Sequence, residues 1–226
     1  MKLSSSSSKL FFPAAVFVFL AATARTQSYK LESSSTPPPQ ELSAEIRDTL
    51  SPDALHVTGP NGPLVDIWLR KSIPAAATPD TSLGVNFGQI PQGALVGAIK
   101  FDAAGADYRG QAIKPGVYTL RFMLEPVDGN HQGCSPYRDY VLTAPAALDL
   151  SGADISTTDL VNLSTKATGT GHPSVWSLVP ADNSPATLLT IAHQSDGNLW
   201  IVYFQVPLAE PTKMGLVTVG KAQAPE

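Results

Sequence analysis

The segment 126–140 holds the densest group of polar, potentially reactive side chains in the chain, and it reads PVDGNHQGCSPYRDY. Two residues separate His131 from Cys134, a spacing found in transition-metal sites, and Asp128 and Asp139 lie nearby in the sequence. These four residues are the candidate metal ligands. Cys134 is also a candidate nucleophile, with His131 as the base that would activate it.

The same segment also has the composition of a turn. Asp128-Gly129-Asn130 favours reversal of the chain, and Arg138 is then expected to pair with an acidic neighbour. A metal site needs three or four convergent ligands, and no second His or Cys pair follows in the sequence. We therefore predict a turn with no catalytic, cofactor-binding or metal-binding residue. Because loops on a rigid sheet commonly bind ligands, His131 and Arg138 are predicted ligand contacts.

The tryptophans are candidates for stacking on sugar rings, since an aromatic ring offers a large apolar face. Trp68 lies on the polar face of its predicted strand, which makes it the best candidate for an exposed ligand contact. Trp200 alternates in phase with Val202 and Phe204, and we expect it in the core. The pattern leaves the position of Trp176 open.

Composition excludes several classes of function. The 226 residues are 43% hydrophobic and 15% charged, with a formal net charge of −4, which is typical of a globular protein that does not bind nucleic acid. The chain after the leader contains neither a G-x-S-x-G or S-x-x-K serine motif nor a glycine-rich phosphate loop. Cys134 is the single cysteine, so no intramolecular disulfide can form.

The first 24 residues have the pattern of a secretory signal peptide. Lys2 and Lys9 are followed by an apolar run, LFFPAAVFVFLA, and Ala22-Thr23-Ala24 is a small-x-small cleavage site, so we expect cleavage before Arg25. The alternative is an uncleaved anchor. The apolar run is shorter than the roughly 18 to 20 residues that span a bilayer, which favours cleavage and no membrane span afterwards.

Residues 25–40 are predicted to be a disordered tether rich in serine and proline, followed by one β-rich domain over 41–226. Leu42, Ile46 and Leu50 share one face of a short helix over 41–50. A second short helix is expected over 157–166.

Strands are predicted where apolar residues alternate with polar ones. They cover 54–58, 64–73, 95–101, 118–124, 139–143, 186–193, 199–206 and 214–219, with turns at 59–63 and 195–198. About seven antiparallel strands and few helices indicate an all-β fold, an antiparallel β-sandwich of the transthyretin or immunoglobulin type.

Two blocks, 110–146 and 67–74, resemble a family of uncharacterised exported bacterial proteins, most clearly at PGVYTLRFMLEPVDGNH. The PGVYTL entry into a strand is more loosely similar to transthyretin-like β-sandwich modules. The resemblance implies a location in the bacterial envelope, secreted or periplasmic. It implies no activity, cofactor or catalytic residue.

These features predict a non-enzymatic binding module whose partner is a ligand, a glycan or an envelope protein. The alternative is a metal-dependent or other hydrolase built on the 126–140 loop. That alternative requires His131 and Asp139 to converge with another histidine.

Overall fold

The computed structural model describes residues 28–128, 131, 135, 137–181 and 188–222; the predicted signal peptide and Cys134 lie outside them. The helices are α1 (Ala44–Thr49) and α2 (Thr157–Thr168). The strands are β1 (Lys30–Ser35), β2 (Asp53–Gly59), β3 (Gly62–Leu69), β4 (Leu95–Phe101), β5 (Gly105–Ala106), β6 (Ala112–Ile113), β7 (Gly116–Leu124), β8 (Asp139–Pro145), β9 (Ser174–Pro180), β10 (Thr190–Gln194), β11 (Leu199–Val206) and β12 (Thr212–Val219).

Ten of the strands form one antiparallel sheet in the order β1-β2-β3-β4-β7-β8-β9-β12-β11-β10, and β5 and β6 form a separate small hairpin. Strand β9 joins two halves of the large sheet, because its first residues pair with β8 and its last residues pair with β12. The sheet is nearly closed, with β1 in contact with β10. The predicted all-β antiparallel class with two short helices is confirmed. No helix in the described ranges is long and apolar enough to cross a membrane.

The main core lies on the inner face of the sheet, where alternate residues of each strand point. Trp176, whose position the sequence pattern left open, lies there at 2% exposure, with its ring centroid 5.6 Å from that of Phe101. The inner face also contains these residues from five strands: Val57, Ile67, Ile99, Leu120, Phe122, Val202 and Phe204. Their burial follows the period of two on which the strands were predicted.

Helix α1 covers part of the outer face, so that face is buried as well. Leu42, Ile46 and Leu50 are nearly inaccessible, as the predicted helix requires, and they pack in one cluster with Trp68. The prediction that Trp68 is exposed is wrong: the side chain is 2% exposed, and its indole Nε1 donates to the Thr36 carbonyl at 2.7 Å. A polar-looking strand face became interior because a helix packs on it.

The ordered chain begins earlier than the sequence predicts. Residues 30–35 lie within the predicted tether, yet they form β1 and pair with all but the last residue of β2. Most side chains of β1 are exposed, so its hydrophobicity pattern is that of a solvated segment. The prediction that folding starts near residue 41 is therefore wrong, because backbone hydrogen bonds to β2 order a strand that buries little apolar surface.

The centre of β7 carries a buried arginine. Arg121 is 0% exposed and its guanidinium faces the Asp149 carboxylate, with Nε to Oδ2 at 2.6 Å and Nη2 to Oδ1 at 2.8 Å. The remaining N–H groups donate to the carbonyls of Gly93, Ser151 and Ala153. All five donors of the guanidinium therefore have an acceptor, which a buried arginine requires.

We expect Arg121→Met to lower the free energy of unfolding by about 3–5 kcal/mol, because Asp149 is then left as an uncompensated buried charge. Urea denaturation measures this change. Lys100→Met is the matched control. Lys100 lies on the neighbouring strand β4, and its ammonium forms an exposed ion pair with Asp102. Loss of this pair is expected to change the free energy of unfolding by less than about 1 kcal/mol. Similar losses in the two variants would show that the Arg121 network is not the special contact described here.

Candidate ligand-binding cavity

A cavity of about 220 Å³ lies on the outer face of the sheet, over the β7–β8–β9 segment. Its floor is formed by side chains of neighbouring strands, with Met123 opposite Tyr140 and Leu142 opposite Val175 in the strand register. Val161 of α2 adds a further wall. The remaining apolar wall consists of Tyr108, Leu124, Pro126 and Pro173. The interior of the cavity is thus almost entirely apolar.

Four ionisable side chains also line the cavity, and we call them the rim: Arg109, Glu125, His131 and His172. Arg109 and His172 are exposed, whereas Glu125 and His131 are half-buried. Neither the Arg109 guanidinium nor the His172 imidazole has a hydrogen-bond or ion-pair partner within the described part of the chain. Both groups are available to a ligand.

The backbone that carries Arg109 is held in place by a buried carboxylate. Asp107 is 1% exposed and accepts hydrogen bonds from the backbone N–H groups of Arg109, Gln111 and Val175. The side-chain amide of Gln111 donates to the same carboxylate at 2.8 Å. Since Val175 belongs to β9, Asp107 fixes the Arg109 turn directly to the cavity floor.

The position of His172 depends on how α2 ends. Gly169 terminates the helix in the left-handed region at φ +67°, where glycine carries no Cβ penalty. The Thr168 hydroxyl then donates to the His172 carbonyl at 2.6 Å. The Thr170 hydroxyl donates to the Gln111 side-chain oxygen at 2.6 Å, so the His172 turn and the Arg109 turn are linked through Gln111.

Burial raises the pKa of Glu125 above its ordinary value, because the charged carboxylate is partly desolvated beside the cavity. The positive charges of His131 and Arg138 act in the opposite direction, and Asp128 adds to the upward shift. Burial also raises the pKa of Tyr108, which keeps that phenol neutral at the cavity wall. In both cases the main cause is desolvation, which penalises the charged form of a partly buried group.

Of the four candidate metal ligands, His131 and Asp128 contact each other, Asp139 makes its hydrogen bonds to other residues, and Cys134 lies outside the described residues. His131 Nδ1 contacts both carboxylate oxygens of Asp128, at 2.9 and 3.1 Å, in a largely exposed pair. Asp139 is 0% exposed and accepts from the backbone N–H groups of Asn86 and Phe87 and from the Asn86 amide. Its carboxylate therefore anchors the 80–91 loop through these hydrogen bonds. Among the described residues, no three His, Cys, Asp or Glu side chains are grouped to hold a metal ion.

Arg138 does not pair with a carboxylate as predicted. Its Nε and Nη2 donate to the Glu125 carbonyl at 3.3 and 3.0 Å, and Nη1 reaches the Leu83 carbonyl at 3.4 Å. The side chain joins the 83–84 loop to the end of β7. Its guanidinium is used structurally, and its role as a ligand contact stays a prediction.

Sequence reasoning found one rim residue, His131, and missed how the others assemble. His172 is isolated in the sequence, and Arg109 lies between the predicted strands 95–101 and 118–124. The only clue in the sequence was that Asp107 and Gln111 lie four residues apart and can hydrogen-bond to each other. Their contact positions the rim only because Asp107 also accepts from the N–H of Val175 in β9, a strand that was not predicted.

His193 lies elsewhere, with its ring 4.8 Å from that of Trp200 and its Nε2 2.8 Å from the Asn198 side-chain oxygen. Trp200 is half-buried rather than in the core as predicted. It still pairs with Val219 of β12, but the register shifts between Trp200 and Ile201.

Comparison of the chain with models of known protein families gives no match, and comparisons with curated proteins and with solved structures give none either.

Proposed function

We propose that the protein is a binding module that takes a small, mainly apolar molecule with an anionic group into the cavity beside β7, β8 and β9. The observation that carries this proposal is the pairing of an apolar cavity with the Arg109 guanidinium and the His172 imidazole, neither of which has a described partner. A short-chain carboxylate has the required chemistry.

The volume of the cavity limits the size of the ligand. At about 220 Å³ it is smaller than the roughly 300 Å³ at which most small-molecule pockets begin. Burial of the apolar part of a ligand would supply most of the affinity, at about 25 cal/mol per Å² of apolar surface. The ligand is therefore a short aliphatic or single-ring molecule rather than a polymer.

The anionic group is assigned to the Arg109 side of the rim. An arginine binds a carboxylate through two parallel N–H groups, and such charge-assisted hydrogen bonds are stronger than neutral ones. Glu125 opposes an anion when it is ionised. The upward shift of its pKa lessens that opposition, because it extends the pH range in which the carboxyl is neutral.

Binding is favoured over the alternative hydrolase. A hydrolase on the 126–140 loop would need His131 and Asp139 to act on one substrate, but Asp139 is committed to Asn86 and Phe87. The rim side chains surround an apolar space, and no hydrogen bond joins two of them in the described part of the chain. This arrangement is typical of a site that orients a ligand, whereas a hydrolytic site needs a base within hydrogen-bond reach of its nucleophile.

We further propose that the protein is exported and acts in the bacterial envelope or outside the cell. The support is the pattern of Lys2, Lys9, the apolar run and Ala22-Thr23-Ala24, together with the resemblance of residues 110–146 to exported proteins. A ligand-binding module in that location meets small molecules from the surroundings.

The anion assignment is tested with hexanoate and 1-hexanol as probes, measured by isothermal titration calorimetry. We expect Arg109→Gln to weaken hexanoate binding about tenfold and to leave hexanol binding unchanged, because the variant removes charge-assisted hydrogen bonds to the carboxylate. Lys166→Gln is the control, since it removes an exposed cation of α2 that does not line the cavity.

The cavity itself is tested in the same titrations. Val161→Phe places an aromatic ring in the cavity, and we expect it to weaken the binding of both probes. Leu163→Phe is the control, because it makes a similar change in the same helix at a half-buried position outside the cavity lining. Hexanoate binding that survives Val161→Phe unchanged would refute the cavity as the site.

Glu125 provides a prediction on pH. Its carboxyl has a folded-state pKa above the ordinary value of 4.5, so the folded state is penalised once the group ionises. The stability of the protein is expected to fall as the pH rises from about 4.5 through the folded pKa, and Glu125→Gln is expected to remove that loss. Thermal unfolding of both proteins between pH 4 and pH 8 measures this, with the difference appearing only at the higher pH values.

Export is tested by expressing the full chain in a bacterial host and sequencing the N-terminus of the protein outside the cytoplasm. The expected first residue is Arg25. Exported protein that begins before residue 15 would contradict cleavage of the predicted leader.

A further inference from the structure

A second group of polar side chains lies on the outer face of β1, β2 and β3. The Oγ of Ser34 is 2.7 Å from Nε2 of His56, and Nδ1 of His56 is 2.7 Å from Oδ1 of Asp66. None of these residues lines the cavity described above. A hydroxyl, an imidazole and a carboxylate are thus connected in series, each within hydrogen-bond reach of the next.

The register of the three strands produces this arrangement. His56 of β2 is directly opposite Asp66 of β3, so their side chains share one face. Ser34 of β1 is opposite Ala54, whose side chain packs in the outer cluster with Trp68. Ser34 therefore projects on the same face as His56 and lies within reach of its ring.

The group sits where solvent and substrate can reach it, while its inner members are shielded. Ser34 is exposed, whereas the side chains of His56 and Asp66 are 28% and 19% exposed. Strand β1 is held on both sides of Ser34. The rings of Tyr29 and Trp200 are in tilted contact with their centroids 4.8 Å apart, and the Thr36 carbonyl accepts from Trp68.

We infer that Ser34, His56 and Asp66 form a nucleophilic site for acyl transfer from small activated esters. The serine is the nucleophile and the histidine is its base. Asp66 orients the ring through Nδ1, so that Nε2 faces the hydroxyl. The relation of nucleophile, base and orienting carboxylate is the one that hydrolytic triads share, whatever the order of the residues in the chain.

The proposed reaction is balanced without any cofactor. The Ser34 oxygen attacks the ester carbonyl, and its proton passes to His56 Nε2. Collapse of the tetrahedral intermediate breaks the bond to the alcohol oxygen, which leaves with the proton from His56. Water then attacks the acyl-serine with His56 again as base, releasing the carboxylic acid and restoring Ser34.

A neighbouring hydroxyl contacts both the proposed nucleophile and its base. The Thr36 hydroxyl lies 3.0 Å from the Ser34 oxygen and 3.3 Å from His56 Nε2, so it can hold the serine in place.

The competing interpretation is a structural one, in which the same hydrogen bonds only attach β1 to the sheet. The two interpretations differ in one property. A structural serine has no enhanced reactivity, whereas a serine activated by His56 reacts covalently with a fluorophosphonate. In that reaction the Ser34 oxygen bonds to phosphorus, fluoride leaves, and the serine proton is taken up by His56 and released.

The experiment is to incubate the folded full-length protein with a fluorophosphonate probe and to locate the adduct by peptide mass spectrometry. We expect one adduct, on Ser34, and hydrolysis of p-nitrophenyl acetate that this adduct blocks. Ser34→Ala is expected to abolish both. His56→Ala is expected to slow labelling about 100-fold or more, because the general base is lost.

Ser33→Ala is the matched control. Ser33 is an exposed serine of the same strand, but it is opposite Leu55, whose side chain points into the inner core, and its loss is expected to leave labelling unchanged. Circular dichroism establishes that each variant is folded. No adduct on Ser34, or an adduct that forms equally fast in His56→Ala, would overturn the proposal and leave the network as a structural contact.

Discussion

The buried ion pair of Arg121 and Asp149 is the interaction on which the outer surface of the sheet depends. An arginine in the middle of β7 is stable away from water only when all of its donors are satisfied. Asp149 fills one side of the guanidinium, and the carbonyls of Gly93, Ser151 and Ala153 fill the rest. The chain over 149–155 is therefore bound to the sheet. Gly93 takes φ +83°, and a Cβ there would lie 1.9 Å from the Ile155 carbonyl oxygen, so these two segments meet without room for a side chain.

The position of the cavity follows from that attachment. Helix α2 begins directly after the bound segment, with Ser156 as its N-cap accepting from the Asp159 N–H, and Val161 then reaches the cavity. Beyond Val117, the outward side chains of β7 are Thr119, Arg121 and Met123. The Thr119 hydroxyl also donates to Asp149. The first two side chains are sealed under the 149–155 segment, and Met123 lies beyond it and is open to the cavity. The outward face of β7 thus changes along the strand. At Thr119 and Arg121 it is a polar network in which every guanidinium donor has an acceptor, and at Met123 it is an apolar surface that lines the cavity.

Much of the fold could be predicted because it rests on local patterns: the β2–β3 hairpin, α1, α2 and the turn at 195–198 follow from spacing and turn residues. The errors arose where tertiary contacts override the pattern. Trp68 was predicted to be exposed because Asp66 and Arg70, on the same face of its strand, are polar. In the structure α1 covers that part of the face. A strict alternation would put Leu95 on the same face as Ile99, but a register shift between Leu95 and Gly97 puts it on the outer face. Strand β1 carries serines in place of an apolar alternation, and β9 was missed between prolines.

Those two unpredicted strands also explain why the candidate sites were hard to see. The cavity rim depends on Val175 of β9, whose backbone N–H donates to Asp107, and the serine network depends on β1 lying beside β2. The contact of His56 with Asp66 lies within one hairpin, but a register shift between Val57 and Thr58 separates it from the turn, so the turn alone does not set this pairing. A linear motif search detects residues that a single loop or helix brings together. In this protein the polar groups meet across strand pairs, so the sheet order had to be known before the chemistry could be inferred.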